Sequence, residues 1–157
     1  MSLGVRCLGV GILLLTLPAA APRREAEEKE TVQVSVVAIL ATERDNKIDP
    51  KLACIAREVQ KTHKKLTGFQ MAKMTRKPLT IGVKETFELV GEQKAAVTVQ
   101  QGADEKNRIQ VKVAPPQMGE ITYGTCCGKF LPIVTPFRTK NNDLLILAVR
   151  VQPCHGK

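Results

Sequence analysis

The chain has 157 residues, 43% of them hydrophobic and 25% charged, which is the balance of a single globular domain with its own core rather than of a disordered polymer. The formal net charge is +9, yet aromatics make up only 3% and Trp is absent. A strong positive charge without stacking side chains disfavours a single-strand nucleic-acid binder, so no nucleic acid is expected as a partner.

Residues 1–21 have the three-part layout of a secretory signal peptide. "MSLGVR" carries one positive charge, "CLGVGILLLTL" is an apolar run too short to span a bilayer, and "PAAAP" is a small-residue tail. Pro22 disfavours a cut after Ala21, so the exact cleavage point stays open, and a retained anchor is the alternative. Without a retained signal, no transmembrane helix is expected in the mature chain. Export places the protein in the periplasm or outside the cell. Removing these residues takes away only Arg6 among the charges and leaves four cysteines: Cys54, Cys126, Cys127 and Cys154.

"PRREAEEKE", residues 22–30, reads as a charged flexible tether. "TVQVSVVAIL" from Thr31 is an almost continuous apolar run, which predicts a strand buried on both faces. Asp49 and Pro50 form a helix start, and Leu52, Ile55, Ala56 and Val59 recur at spacings of three and four. The helix is expected to run to Gly68. Short strands are expected thereafter. Pro78 breaks the first before "LTIG", "ETFELV", "AAVTVQQ" and "RIQVKVA" alternate apolar with polar residues, and Pro132 and Pro136 mark an edge strand or an irregular one. In "LLILAVRV", Leu145, Leu147, Val149 and Val151 share a face. The expected architecture for residues 31–157 is therefore a single α+β domain, with one early helix packed on a largely antiparallel sheet or small sandwich of about six to eight strands.

Several chemistries lack material. Serine occurs only as Ser2 and Ser35, and histidine only as His63 and His155, which argues against a serine nucleophile or a histidine-rich zinc centre. "GTCCGK" is too short for a phosphate loop and is followed by Phe130 where a magnesium-holding hydroxyl would stand. No cofactor is implied, and the expectation is a non-enzymatic protein.

Two features remain as candidate sites. One is the basic stretch Arg57, Lys61, Lys64, Lys65, Lys73, Arg76 and Lys77, opposed only by Glu58. It reads either as a contact surface for an anionic envelope surface or protein partner, or as a solvated helix face and strand edge. The other is the cysteine set. An even count in an exported chain favours disulfides among Cys54, Cys126, Cys127 and Cys154. Neighbouring strand residues point to opposite faces, so Cys126 and Cys127 are expected to take different partners, one of them Cys154 near the chain end and the other Cys54. The alternative reading is a metal-binding or thiol-redox protein that uses Cys126, Cys127, Cys154 and His155, although the spacing matches no standard zinc knuckle and no C-x-x-C is present.

From Ser35 to Val151 the order "VSVVAILAT", "IDPKLACIAREVQ", "LTGFQM" and "LLILAVRV" resembles small uncharacterised exported bacterial domains. The resemblance implies no activity. The function expected from sequence is an exported binding or interaction module stabilised by disulfides.

Overall fold

The computed structural model describes residues 29–153. The proposed signal segment, most of the tether, and Cys154 with His155 lie outside them. Eight strands and one short helix follow in the order β1 (Thr31–Thr42), α1 (Ala53–Gln60), β2 (Gly68–Thr80), β3 (Lys84–Glu88), β4 (Lys94–Gln101), β5 (Arg108–Ala114), β6 (Ile121–Cys126), β7 (Leu131–Arg138) and β8 (Leu144–Gln152). They form two antiparallel four-stranded sheets. The first has the order β2-β1-β8-β7 and the second β3-β4-β5-β6. The first sheet holds both ends of the described chain at its centre, and the second is a plain meander.

This corrects the α+β expectation. The protein is a β-sandwich whose only α-helix among the described residues spans eight residues and lies outside the two sheets. The physical reason is where the largest core sits. Val34 and Val36 of β1 and Leu145, Leu147 and Val149 of β8 face Phe87, Val97, Val99, Val111 and Val113 of the second sheet. A second, smaller core lies on the far face of the first sheet, where Val37, Ile39 and Ala41 of β1 and Ile146 and Ala148 of β8 meet Ile55, Ala56 and Val59 of α1. β1 and β8 therefore bury both faces, which is what their continuous apolar runs require.

Local signals explain the element ends. Asp49 caps a single 3-10 turn, Pro50–Leu52, by accepting a hydrogen bond from the Lys51 N–H at 2.9 Å, and α1 continues from it. The helix stops at Gln60, not at Gly68. Leu66 turns inward instead of continuing the helical face, and it is buried with the α1 core. Gly68 opens β2, and it is glycine because a Cβ there would collide with Asp45 Oδ1 and come within 2.6 Å of Thr42 Cγ2. Pro78 does not break its strand either. β2 is an edge, so a residue without an N–H costs no ladder bond on the solvent side, and Pro78 pairs with Gln33 inside the strand. β7 is the opposite edge of the same sheet, and it holds Pro132 and Pro136 with a register irregularity between Val134 and Arg138. In the β4–β5 turn Asp104 accepts from the Arg108 and Lys106 backbone N–H groups at 2.8 and 2.9 Å and from Arg108 Nε at 3.0 Å. The Arg108 backbone bond leads in holding this carboxyl below the usual carboxylate range.

Candidate functional site

The basic stretch divides when it folds. Arg57 sits on α1, Lys61 is the residue that caps its C-terminus, and Lys64 and Lys65 occupy the turn that follows. On β2 the alternation separates the rest. Lys73 and Lys77 pair with Ala38 and Val34, which face the second sheet, whereas Arg76 pairs with Ser35 on the α1 side. Lys77 donates to the Thr86 carbonyl at 2.9 Å and lies over the Phe87 ring, and Lys73 lies 3.8 Å from the Glu88 carboxylate, so both bridge the seam between the sheets. Lys61 pairs with Glu58. Among the described residues, Arg57, Lys64, Lys65, Arg76 and Lys77 have no carboxylate partner.

The register adds a residue that sequence reasoning missed. Ser35 pairs with Arg76 on one side and with Arg150 of β8 on the other. Directly opposed residues share a face, so two arginines flank one buried serine, which is 2% exposed. Arg76 Nε donates to Ser35 Oγ at 3.2 Å. The Arg150 guanidinium lies 4.5 Å from the Phe130 ring centroid, and its Nε is buried without a hydrogen-bond partner. The four strands of this sheet hold five basic residues, Lys73, Arg76, Lys77, Arg138 and Arg150, and no acidic one.

The two adjacent cysteines part at the end of β6. Cys126 pairs with Arg108 and is exposed, with a free thiol. Cys127 turns inward and packs against the main core. Its N–H donates to the Asn107 carbonyl at 2.7 Å, and its Sγ lies 3.3 Å from the Val151 carbonyl oxygen. Gly128, at φ +82°, takes the left-handed position of the turn and donates to the same Val151 carbonyl at 3.0 Å. This fastens the β6–β7 turn to the end of β8, three residues before Cys154. Cys54 lies on the exposed side of α1 with a free thiol. Among the described residues no group of three His, Cys, Asp or Glu side chains is placed to hold a metal ion.

A cleft of about 500 Å³ opens at the other end of the first sheet, lined among others by Leu40, Arg44, Asp45, Asp49, Phe69 and Asp143. Arg44 and Asp143 form an ion pair across it. Its polar groups are spent on the loop itself, since Asp45 accepts from the Lys47 N–H and Asp49 caps the turn before α1.

Tyr123 is the one tyrosine of the chain, and its hydroxyl is buried without a partner. Desolvation raises its pKa well above the ordinary 10. Because the folded value lies above the unfolded one, stability is fully present below about pH 10 and is lost as pH rises beyond it. With no Trp in the way, phenolate absorbance at 295 nm reads this directly. The ionisation is expected to coincide with loss of the sheet circular dichroism. Tyr123→Phe removes an unsatisfied hydroxyl, and is expected to stabilise by about 1 kcal/mol and to abolish that coupling. Free ionisation near pH 10 with the fold intact would contradict both.

Comparison with protein families, curated proteins and solved structures finds no match. Among the described residues no helix is long and apolar enough to cross a membrane.

Proposed function

We propose that this protein is an exported, non-enzymatic binding domain that recognises an anionic partner through basic residues on and beside the β2-β1-β8-β7 sheet. The observation that carries the reading is the charge distribution: the strands of this sheet hold five basic residues and no acidic one, and among the described residues only Lys73 of the five lies within ion-pair distance of a carboxylate. This excess of positive charge, divided between the two faces of the sheet, attracts an anionic partner over a range set by the salt concentration. The sandwich acts as a rigid frame for it. Export rests on the N-terminal layout, and a Cys127–Cys154 disulfide belongs to the same reading.

Charge reversal at Lys64, Lys65, Arg76 and Lys77 together is expected to weaken binding to soluble polyglutamate and to anionic vesicles at least fivefold at low salt, with a smaller difference at high salt. Measurement by light scattering and equilibrium binding on the exported chain checks it. Equal binding by the wild type and the reversed variant sinks the reading.

A further inference from the structure

Among the described residues, the layer that covers the first sheet stops short. α1 has eight residues and is about 12 Å long, while the twelve residues of β1 span about 40 Å. The apolar cluster under α1 ends at Val37. Beyond it the same face carries Ser35 and Gln33 in the middle, Arg76 and Arg150 at the sides, and Met74 opposite Val37. Met74 is 45% exposed, the most exposed large hydrophobic residue described.

We propose that this open half of the sheet is a binding site for an extended acidic polypeptide segment that lies across β2, β1 and β8, with carboxylates on Arg76 and Arg150 and an apolar side chain against Met74. The inference rests on the anionic-partner reading above and names its surface and partner class.

Three observations favour this occupant. First, both cations are arginines, whose planar forks match carboxylate geometry, and neither is neutralised by a carboxylate among the described residues. Second, both are held in place before any partner arrives. Arg76 is tied to Ser35 Oγ and Arg150 rests on Phe130, so less side-chain entropy is lost on contact. The two strands are the neighbours of β1 on either side, so their Cα atoms stand about 9.6 Å apart. That spacing fits acidic residues two or three positions apart on an extended chain. Third, the mixture of arginine with Met74 and Phe130 is that of a protein–protein contact. A uniform polyanion has nothing to place on Met74, and an anionic lipid surface calls for a larger cluster of cations than two.

The test uses the full exported chain and a fluorescein-labelled peptide that alternates glutamate with leucine and alanine, read by anisotropy. Arg76→Gln and Arg150→Gln are each expected to weaken binding about tenfold. Arg150→Lys, which keeps the charge and loses the fork, is expected to recover little of it. Lys94→Gln with Lys106→Gln is expected to stay within about twofold of wild type, because those residues belong to β4 and the β4–β5 turn of the second sheet, beyond the site. Since the chain has no Trp, Met74→Trp places a single reporter in the patch, and its emission is expected to shift as peptide saturates. Unchanged affinity in the Arg76→Gln, Arg150→Gln double variant overturns the site while leaving the anionic-partner reading intact. An equal loss from the lysine pair, or a silent Met74→Trp reporter, does the same. Arginine-dependent binding of phosphatidylserine vesicles or of polyglucuronate without binding of the peptide overturns the polypeptide partner. Failure of the wild type to bind any of the three probes overturns the broader reading as well.

Discussion

Replacing Cys127 with serine is expected to cost about 3.5 kcal/mol of folding stability, whereas the same change at Cys126 or Cys54 costs little. The difference follows from position. Cys127 packs inward, with its Sγ 3.3 Å from the Val151 carbonyl oxygen, and only Gln152 and Pro153 separate Val151 from Cys154. A disulfide from Cys127 to Cys154 closes a loop that contains β7 and β8, and removing a closure of that length raises the entropy of the unfolded chain by about the amount stated. Cys126 and Cys54 point to solvent with free thiols. Urea unfolding under oxidising and reducing conditions checks this: reductant is expected to lower the wild-type midpoint to that of Cys127→Ser and to leave the variant unmoved. Peptide mapping of the purified protein after alkylation is expected to find Cys54 and Cys126 labelled and Cys127 linked to Cys154. Bound zinc or copper with four reactive thiols would instead favour the metal or thiol-redox alternative.

What could be read from the chain alone depended on the range of the signal. The burial of β1 on two faces was legible, because a continuous run such as "VSVVAIL" has no polar side to give to water; β8 was legible as a strand with Leu145, Leu147, Val149 and Val151 on one face, and its second buried face, with Ile146 and Ala148, was not. The edge position of β7 was legible from Pro132 and Pro136. The split into two sheets was not. Alternation in "RIQVKVA" says that one face is buried, and it is equally consistent with a helix or a second sheet on that face. The helix also drew too much weight, since its apolar spacing ends at Val59 and the charged residues after it satisfied a helical expectation without requiring one. The surface was half legible. Arg76 stands out in a basic stretch, but Arg150 is a lone cation in an apolar strand, and only the pairing of β1 with both β2 and β8 brings the two to the sides of Ser35. The same pairing sends Lys73 and Lys77 to the other face, a separation that counting charges along the chain does not reveal.

Phe69→Ala is expected to destabilise the protein by about 3–5 kcal/mol, the range for truncating a fully buried aromatic residue. Phe69 is 1% exposed and lies in the core beneath α1, not in the core between the sheets. Its backbone also fixes the approach to the helix: the Phe69 N–H donates to the Lys47 carbonyl and the Phe69 carbonyl accepts from the Asp49 N–H, both at 2.9 Å, and Asp49 caps the turn that starts the helix. The side chain and the backbone therefore hold the same joint. An alanine keeps the two backbone bonds but leaves a void in the close-packed cluster that also holds Ala41, Leu52 and Leu144. Phe87→Ala removes an equally buried ring from the other core and is expected to cost a similar amount. The two variants should differ in which amides open first. In Phe69→Ala, hydrogen exchange is expected to accelerate in residues 50–66 at denaturant levels where β4 and β5 remain protected. In Phe87→Ala, the strands of both sheets are expected to lose protection together, because that ring lies in the layer they share. Equal, global exchange in both variants would mean that α1 and the sandwich fold as one cooperative unit and that the helix is not a separable cover.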